Sequence, residues 1–366
     1  MALLSRTTDV VLSGIDRGWH FGLQLYVSRH GEVVADAGYG EARPGVPMTS
    51  DTILPWLSAG KPLAAVAVMQ LVERGLLTLE MAIAEVIPEF AAGGKSAVTL
   101  RHLLTHTGGF RNVSIDWPAS SWDETLAEIC RTPLEADWVL GETAGYHVAS
   151  SWYVLGELIQ RLDGRSFSRF LREEICEPLG LLDSWNGMPP AVWSRYGERI
   201  GCMWEKDRGE IRDLQWHDAR HCEACSPGGN TRGPIHELGR FYECLLAGGV
   251  IGQRRLLKAE TVQEMTRRQR IDRHDLTFQH RIDFGLGLIL DSKHHGPTTV
   301  PYGYGAECSA SSFGHSGSQS SIGFADPARQ LVVAYVASCR PGEGTHQRRH
   351  RELMAAIDQD LGEGRG

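Results

Sequence analysis

Two apolar stretches at opposite ends of the chain set the first limit on its fold. Near the N-terminus Leu23, Leu25 and Val27 alternate with Gln24, Tyr26 and Ser28, the period-2 pattern of a strand. Far down the chain, Leu331 to Ala337 is apolar at every position and reads as a buried strand. More sheet signal sits beside each. The turn Arg29-His30-Gly31-Glu32 leads into Val33-Val34-Ala35, while the runs Phe284 to Leu290 and Ser318 to Ala325 and the turn Asp326-Pro327-Ala328-Arg329 precede the final strand. The intervening pattern is mainly helical with long loops. Helices are predicted over Asp9 to Arg17 and Leu63 to Arg74, and after Thr99 through Arg101 to Leu104. Another follows Ser150 or Ser151 as cap, with Trp152, Leu155, Leu158, Ile159 and Leu162 inside and Gly164 as its stop. Phe167 to Ile175, Ile235 to Leu246 and Glu352 to Leu361 complete the set. Strands at both ends with helices between imply an α/β sheet domain from residues 1–75 and 284–366, interrupted by a helical insertion over 76–283.

Composition narrows the partners. The 366 residues carry 37 basic and 45 acidic side chains, a net charge of −8, and the only basic concentration is the short run Arg348-Arg349-His350-Arg351. Nucleic acid is therefore not an expected partner. No apolar run approaches the length of a membrane span, and Met1 to Gly14 lacks the basic start, long apolar centre and cleavage site of an export signal. A cytoplasmic protein with no membrane partner is expected. Its eight cysteines, Cys130 to Cys339, then read as reduced and mostly buried thiols.

Chemistry concentrates at Leu57-Ser58-Ala59-Gly60-Lys61-Pro62-Leu63. Proline is tolerated in the first turn of a helix, so Pro62 places a helix start near Ser58, and the i, i+3 spacing puts Ser58 and Lys61 on one face. The positive end of that helix favours an oxyanion formed there. By spacing alone the pair also fits an N-cap serine with a solvated lysine. A lysine helps deprotonate a serine only if its own charge is suppressed or its proton is passed on, which requires a buried site and a partner such as a tyrosine. Tyr146, on the loop Gly145-Tyr146-His147-Val148, is the candidate, and it equally fits a buried core tyrosine. A third element, Phe313-Gly314-His315-Ser316-Gly317-Ser318, enters a strand; its glycines admit close approach to the backbone, and an edge strand leaves N–H groups free to hold an oxyanion.

Two metal-like patterns weigh against this site. His102 and His106 stand at i and i+4, but no neighbouring glutamate completes a metalloprotease helix, and a structural histidine pair is the better reading. His217, His221, Cys222 and Cys225 place four side chains of zinc-ligating type within nine residues. They run into Ser226-Pro227-Gly228-Gly229, an ordinary loop sequence, and no metal or other cofactor is expected. A Gly-x-Ser-x-Gly elbow is absent, which argues against an α/β-hydrolase.

Taken in order, Ser58-x-x-Lys61, Tyr146 and His315-Ser316-Gly317 resemble the serine β-lactamase and penicillin-binding-protein superfamily, within it the class C β-lactamase-like esterases and transacylases. Thr99 to Gly109, Tyr153 to Gly164 and Gly248 to Leu257 extend the resemblance over most of the chain. It implies a β-lactamase/transpeptidase-like fold, an antiparallel sheet flanked by helices with a largely helical insertion. It further implies that Ser58 is acylated, that Lys61 and Tyr146 handle its proton, and that the backbone N–H groups of Ser58 and Ser318 form the oxyanion hole, with His315 beside the substrate's polar group. Two departures bear on substrate. Val148 stands where the family's Tyr-x-Asn motif has asparagine, and His315-Ser316-Gly317 replaces the Lys-Thr-Gly of β-lactamases. The first removes a side-chain amide, and neutral histidine is a poorer anchor for a lactam carboxylate.

The expected function is therefore a cytoplasmic serine esterase or transacylase acting on a small-molecule ester or thioester, by analogy within secondary metabolism. Its partners would be a small-molecule acyl donor and, where transfer operates, an alcohol or amine acceptor. Two other functions compete: a β-lactamase or D-amino-acid amidase or peptidase, and a non-catalytic binding homologue. Trp56, Trp117, Trp122, Trp138 and Trp152 fit an aromatic pocket lining, and each fits the core equally well.

Overall fold

The computed structural model describes residues 4–362. Its main sheet has seven strands: β1 (Gly22–Arg29), β2 (Glu32–Arg43), β3 (Val46–Pro47), β4 (Ile289–Leu290), β5 (Phe313–Gly317), β6 (Ser321–Asp326) and β7 (Leu331–Ala337). Their spatial order is β4-β5-β6-β7-β1-β2-β3, and every neighbouring pair is antiparallel. The two apolar stretches that frame the sequence lie side by side at its centre, with Leu23 opposite Ala337 and Val27 opposite Val333. Burial on both faces explains why β7 shows no polar alternation: Leu331, Val333 and Tyr335 join one core with Leu23 and Leu25, while Val332, Ala334 and Val336 join the other.

Five helices position the rest: α1 (Ser5–Asp16), α2 (Lys61–Glu73), α3 (Ser150–Asp163), α4 (Ile235–Leu246) and α5 (Glu343–Asp360). The terminal helices α1 and α5 pack together over one face of the sheet, and α4 covers β1, β6 and β7 on the other. Helix α2 is buried from Lys61 through Leu71 and packs against α3, as an apolar-all-round helix must. Among the described residues no helix is long and apolar enough to cross a membrane.

The structure corrects several expected boundaries. Helix α5 begins at Glu343 rather than Glu352, because its inward face carries His346, Arg349 and His350 in place of apolar residues. The basic run is thus part of a packed helix: Arg349 is buried and donates to the carbonyls of Trp19, Gln319 and Cys339. Phe284 to Leu290 is a strand only at its end, since the chain doubles back through Gly287 at φ +71° and Phe284 bridges Ile289. Strand β6 starts at Ser321 because Ser318–Ser320 is a turn closed by the Ser320 N–H on Gly317 O. Ser150 and Ser151 lie inside α3, which follows Ala149; the Ser150 hydroxyl meets His147 Nδ1 at 3.1 Å instead of capping. A polar ribbon, Trp204–Asp207 with Glu210–Asp213, joins Cys339–Arg340 in a small second sheet that hydrophobic patterning does not reveal.

Candidate active site

Ser58 sits on a 3₁₀ turn, Leu57–Gly60, that runs directly into α2 with Pro62 in the first helical turn. The turn is held from its upstream side. The Trp56 N–H donates to Thr231 O at 2.8 Å, its indole N–H to Gly233 O at 2.9 Å, and its carbonyl accepts from the Ser321 hydroxyl at 2.5 Å. Leu57 then adopts φ 52°, a left-handed conformation uncommon for a residue with a side chain and maintained only where surroundings over-determine it. Strand β5 supplies those surroundings: a Cβ at Gly317 would lie 2.5 Å from Trp56 O and 2.9 Å from Leu57 Cβ, so only glycine lets the strand approach the turn.

Lys61 is fully buried beneath Ser58. Its Nζ lies 2.9 Å from Ser58 Oγ, 2.8 Å from Val148 O, and within hydrogen-bond reach of Gly228 O. No carboxylate among the described residues pairs with it; the rings of Tyr146 and Trp152 lie over it at 5.2 and 5.3 Å. Desolvation holds its pKa well below the ordinary lysine value. Nζ donates to all three oxygens, and the lowered pKa favours release of one of these protons, which would leave a lone pair directed at the Ser58 hydroxyl.

Tyr146 comes from a separate loop and meets Ser58 and Lys61. Burial raises the pKa of its phenol, and a hydrogen bond with Ser58 opposes that rise. Its backbone is fixed by Asp275, whose Oδ1 accepts from the N–H groups of Tyr146 (3.0 Å), Thr277 (2.9 Å) and Phe278 (3.0 Å). Asp275 in turn pairs with buried Arg270 at 3.0 Å. His315 donates Nδ1–H to Ser316 O (2.9 Å), which leaves Nε2 an acceptor; Nε2 and the Ser316 hydroxyl are both buried without a protein partner. Burial, with the neighbouring Lys61, lowers the His315 pKa to about 3, so the ring is neutral. Strand β4 covers β5 only at Phe313 and Gly314, and no strand among the described residues pairs with the outer edge of His315 to Gly317.

These parts converge on a cavity of about 370 Å³ lined by Ser58, Tyr146, His315, Ser316 and Ser318, with Val148 at its rim. The opposite wall holds Phe278, Pro301, Tyr302, Glu343 and Gln347. Gly317 does not line it and acts by letting β5 meet the serine turn. None of the five tryptophans lines the cavity either: Trp56 and Trp152 are core residues behind it, and the aromatic surface comes from Tyr146, Phe278 and Tyr302. Sequence reasoning missed Asp275, Phe278, Tyr302 and Glu343. Only Asp275 left a local trace, an Asp followed two residues on by Thr277, the pattern of an Asx turn.

The metal-like patterns disperse. His102 Nδ1 accepts from the Thr99 N–H at 3.1 Å within its own helix cap, whereas His106 lies past the helix end at φ 58° and accepts from the His147 N–H. Of the zinc-type quartet, His221 bonds Asp218 at 2.6 Å, Cys222 contacts Arg232, and His217 lies instead beside Cys202 and Asp213. Among the described residues no three of the four gather into one coordination sphere.

A serine, a buried lysine beneath it and a tyrosine meeting at one cavity, on an antiparallel sheet flanked by helices, define a serine hydrolase of the β-lactamase/transpeptidase fold. The chain belongs to the Beta-lactamase family, whose model matches residues 9–357. It is 27% identical over 341 residues to the esterase/β-lactamase LipL of Mycobacterium tuberculosis, covering 86% of this chain and 76% of that protein. A family VIII carboxylesterase superposes with TM-score 0.80 at 26% identity over 98% of this chain and 97% of that one. A penicillin-binding protein homologue from Caulobacter crescentus superposes with TM-score 0.78 at 29% identity, over 96% and 97%.

Proposed function

We propose that the protein is an esterase or transacylase that forms an acyl-enzyme on Ser58 from a small-molecule ester or thioester. One observation carries the reading: Lys61 is buried with no carboxylate partner among the described residues, its Nζ is held by the carbonyls of Val148 and Gly228, and it lies 2.9 Å from Ser58 Oγ. Ser58 Oγ attacks the ester carbonyl as its proton passes to Lys61 Nζ. The tetrahedral oxyanion accepts from the backbone N–H groups of Ser58 and Ser318, an arrangement in which one donor is typically worth roughly a hundredfold to a thousandfold. As the intermediate collapses, Tyr146 gives its hydroxyl proton to the departing alkoxide or thiolate and recovers one from the Lys61 ammonium. Water, or an alcohol or amine acceptor, then takes the acyl group by the reverse steps.

Three features favour an ester over a lactam or D-amino-acid amide. Val148, 61% exposed at the rim, offers no amide where substrate N–H and C=O groups would be held. His315 is neutral and cannot anchor a carboxylate by charge. The one ionised side chain among the lining residues, Glu343, is an anion. All eight cysteines are unpaired thiols, which fits the proposed cytoplasmic setting. Turnover of short-chain p-nitrophenyl esters, with and without added alcohol or amine, tests the reading. Ester turnover far above that of a chromogenic cephalosporin is expected, and acceptor-dependent acceleration with acylated acceptor identifies transfer. Cephalosporin turnover matching the ester rate would overturn the preference.

A further inference from the structure

The wall opposite Ser58 has a chemistry of its own. Three aromatic rings follow one another along the cavity: Tyr146 and Phe278 have centroids 4.7 Å apart, and Phe278 and Tyr302 5.8 Å apart. The Tyr302 hydroxyl donates to Glu343 Oε1 at 2.7 Å, which places a carboxylate at the end of the aromatic run. Every other lining side chain is uncharged, His315 included. Two guanidiniums reach the cavity lining from behind, Arg340 at Ser318 Oγ (3.4 Å) and Arg111 at Thr277 Oγ1 (3.1 Å). Each is paired with a carboxylate behind the lining, Glu205 at 2.8 Å, which Arg212 shares, and Glu135 at 3.0 Å, so Glu343 is the one acidic side chain among the lining residues.

We infer that this wall is a binding subsite for an alkylammonium group, with the aromatic surface of Phe278 and Tyr302 as its cage and Glu343 as its counter-charge. Aromatic faces present the negative side of a quadrupole, and a poorly hydrated ammonium exchanges water for them at little desolvation penalty, more favourably when a carboxylate lies within reach. A carboxylate ligand meets repulsion at the same place. Combined with the acyl-enzyme reading on which its catalytic use rests, the subsite selects esters or acceptors that bear an alkylated amine.

The test compares choline with its uncharged isostere 3,3-dimethylbutan-1-ol and with the anion 3,3-dimethylbutanoate. Each is titrated by calorimetry and then as a competitive inhibitor of p-nitrophenyl acetate turnover. Choline should bind about tenfold more tightly than the alcohol, and the anion more weakly than either. Glu343→Gln and Phe278→Leu should each shrink the choline advantage to threefold or less. Glu260→Gln, which removes an exposed charge on a separate helix, should leave it intact. Equal binding of choline and the alcohol, or an advantage unchanged in Glu343→Gln, overturns the inference. Calorimetry needs no turnover, so an inert ester with choline selectivity intact would break the acyl-enzyme reading and leave this one standing.

Discussion

The two walls of the cavity are built in opposite ways. The wall that bears Ser58, Lys61 and His315 consists of a helix start and the open-edged end of β5, with Lys61 and His315 buried and tied to backbone carbonyls. The facing wall consists of loop residues Phe278, Pro301 and Tyr302 and the first turn of α5, where Glu343 is exposed. Proton transfer needs groups fixed to within a fraction of an ångström and shielded from water, which regular structure supplies. Recognition needs shape and charge, which loops alter without disturbing the sheet. Buried Asp275 is the joint between the walls, holding the backbone of Tyr146 on one side and of Thr277 and Phe278 on the other.

The largest way to break this contrast is at Lys61. Lys61→Ala should lower the acylation rate about a thousandfold or more, within the range for losing a general base, while choline binding on the facing wall is unchanged. Parallel loss of both would mean the walls are not separable. Next is the joint. Arg270→Met strands the Asp275 carboxylate in the interior and should cost about 3–5 kcal/mol in denaturant unfolding, the usual result of breaking a buried pair; a loss below about 1 kcal/mol would show the pair to be dispensable.

Tyr146→Phe sharpens the assignment within the catalytic wall. If the phenol protonates the leaving group, loss should reach about a hundredfold on an alkyl ester and be clearly smaller on a p-nitrophenyl ester, whose leaving group needs no proton. Equal losses would return Tyr146 to a purely structural role. The smallest effect is on stability against pH. His20, His147 and His315 are held neutral by burial with pKa values lowered from 6.5 to about 3. The unfolded chain binds protons below pH 6.5 that the folded one refuses. Their contribution is therefore complete above pH 6.5 and is lost as pH falls toward 3. Replacing His147 by Gln should flatten the melting temperature in that window, and an unchanged slope would contradict its burial as a neutral ring.

Legibility follows the same division. Ser58 and Lys61 were readable because Pro62 and an all-apolar run fix a helix start, and His315 to Gly317 because glycines beside a strand announce a close approach. Strand β7 matched its expected limits, Leu331 to Ala337, since seven consecutive apolar residues admit few other readings. Phe278, Tyr302 and Glu343 carried no local signal: each is an ordinary residue in its own segment, and only tertiary contact puts the three side by side. The first half of α5 was hidden for a related reason. Its buried face is satisfied by hydrogen bonds from Arg349 rather than by apolar packing, so hydrophobic periodicity is silent there. The tryptophans left core and cavity equally open, because large apolar residues signal burial without saying which of the two lies beside them.

The most direct measurement is the intact mass of the protein after brief mixing with p-nitrophenyl acetate at neutral pH, for the wild type and for Ser58→Ala. A buried Lys61 with its pKa lowered beside Ser58 predicts one added acetyl group in the wild type, mapped by peptide digestion to Ser58, and none in the variant. An acetyl group carried equally by both, or mapped to any other residue, would contradict it.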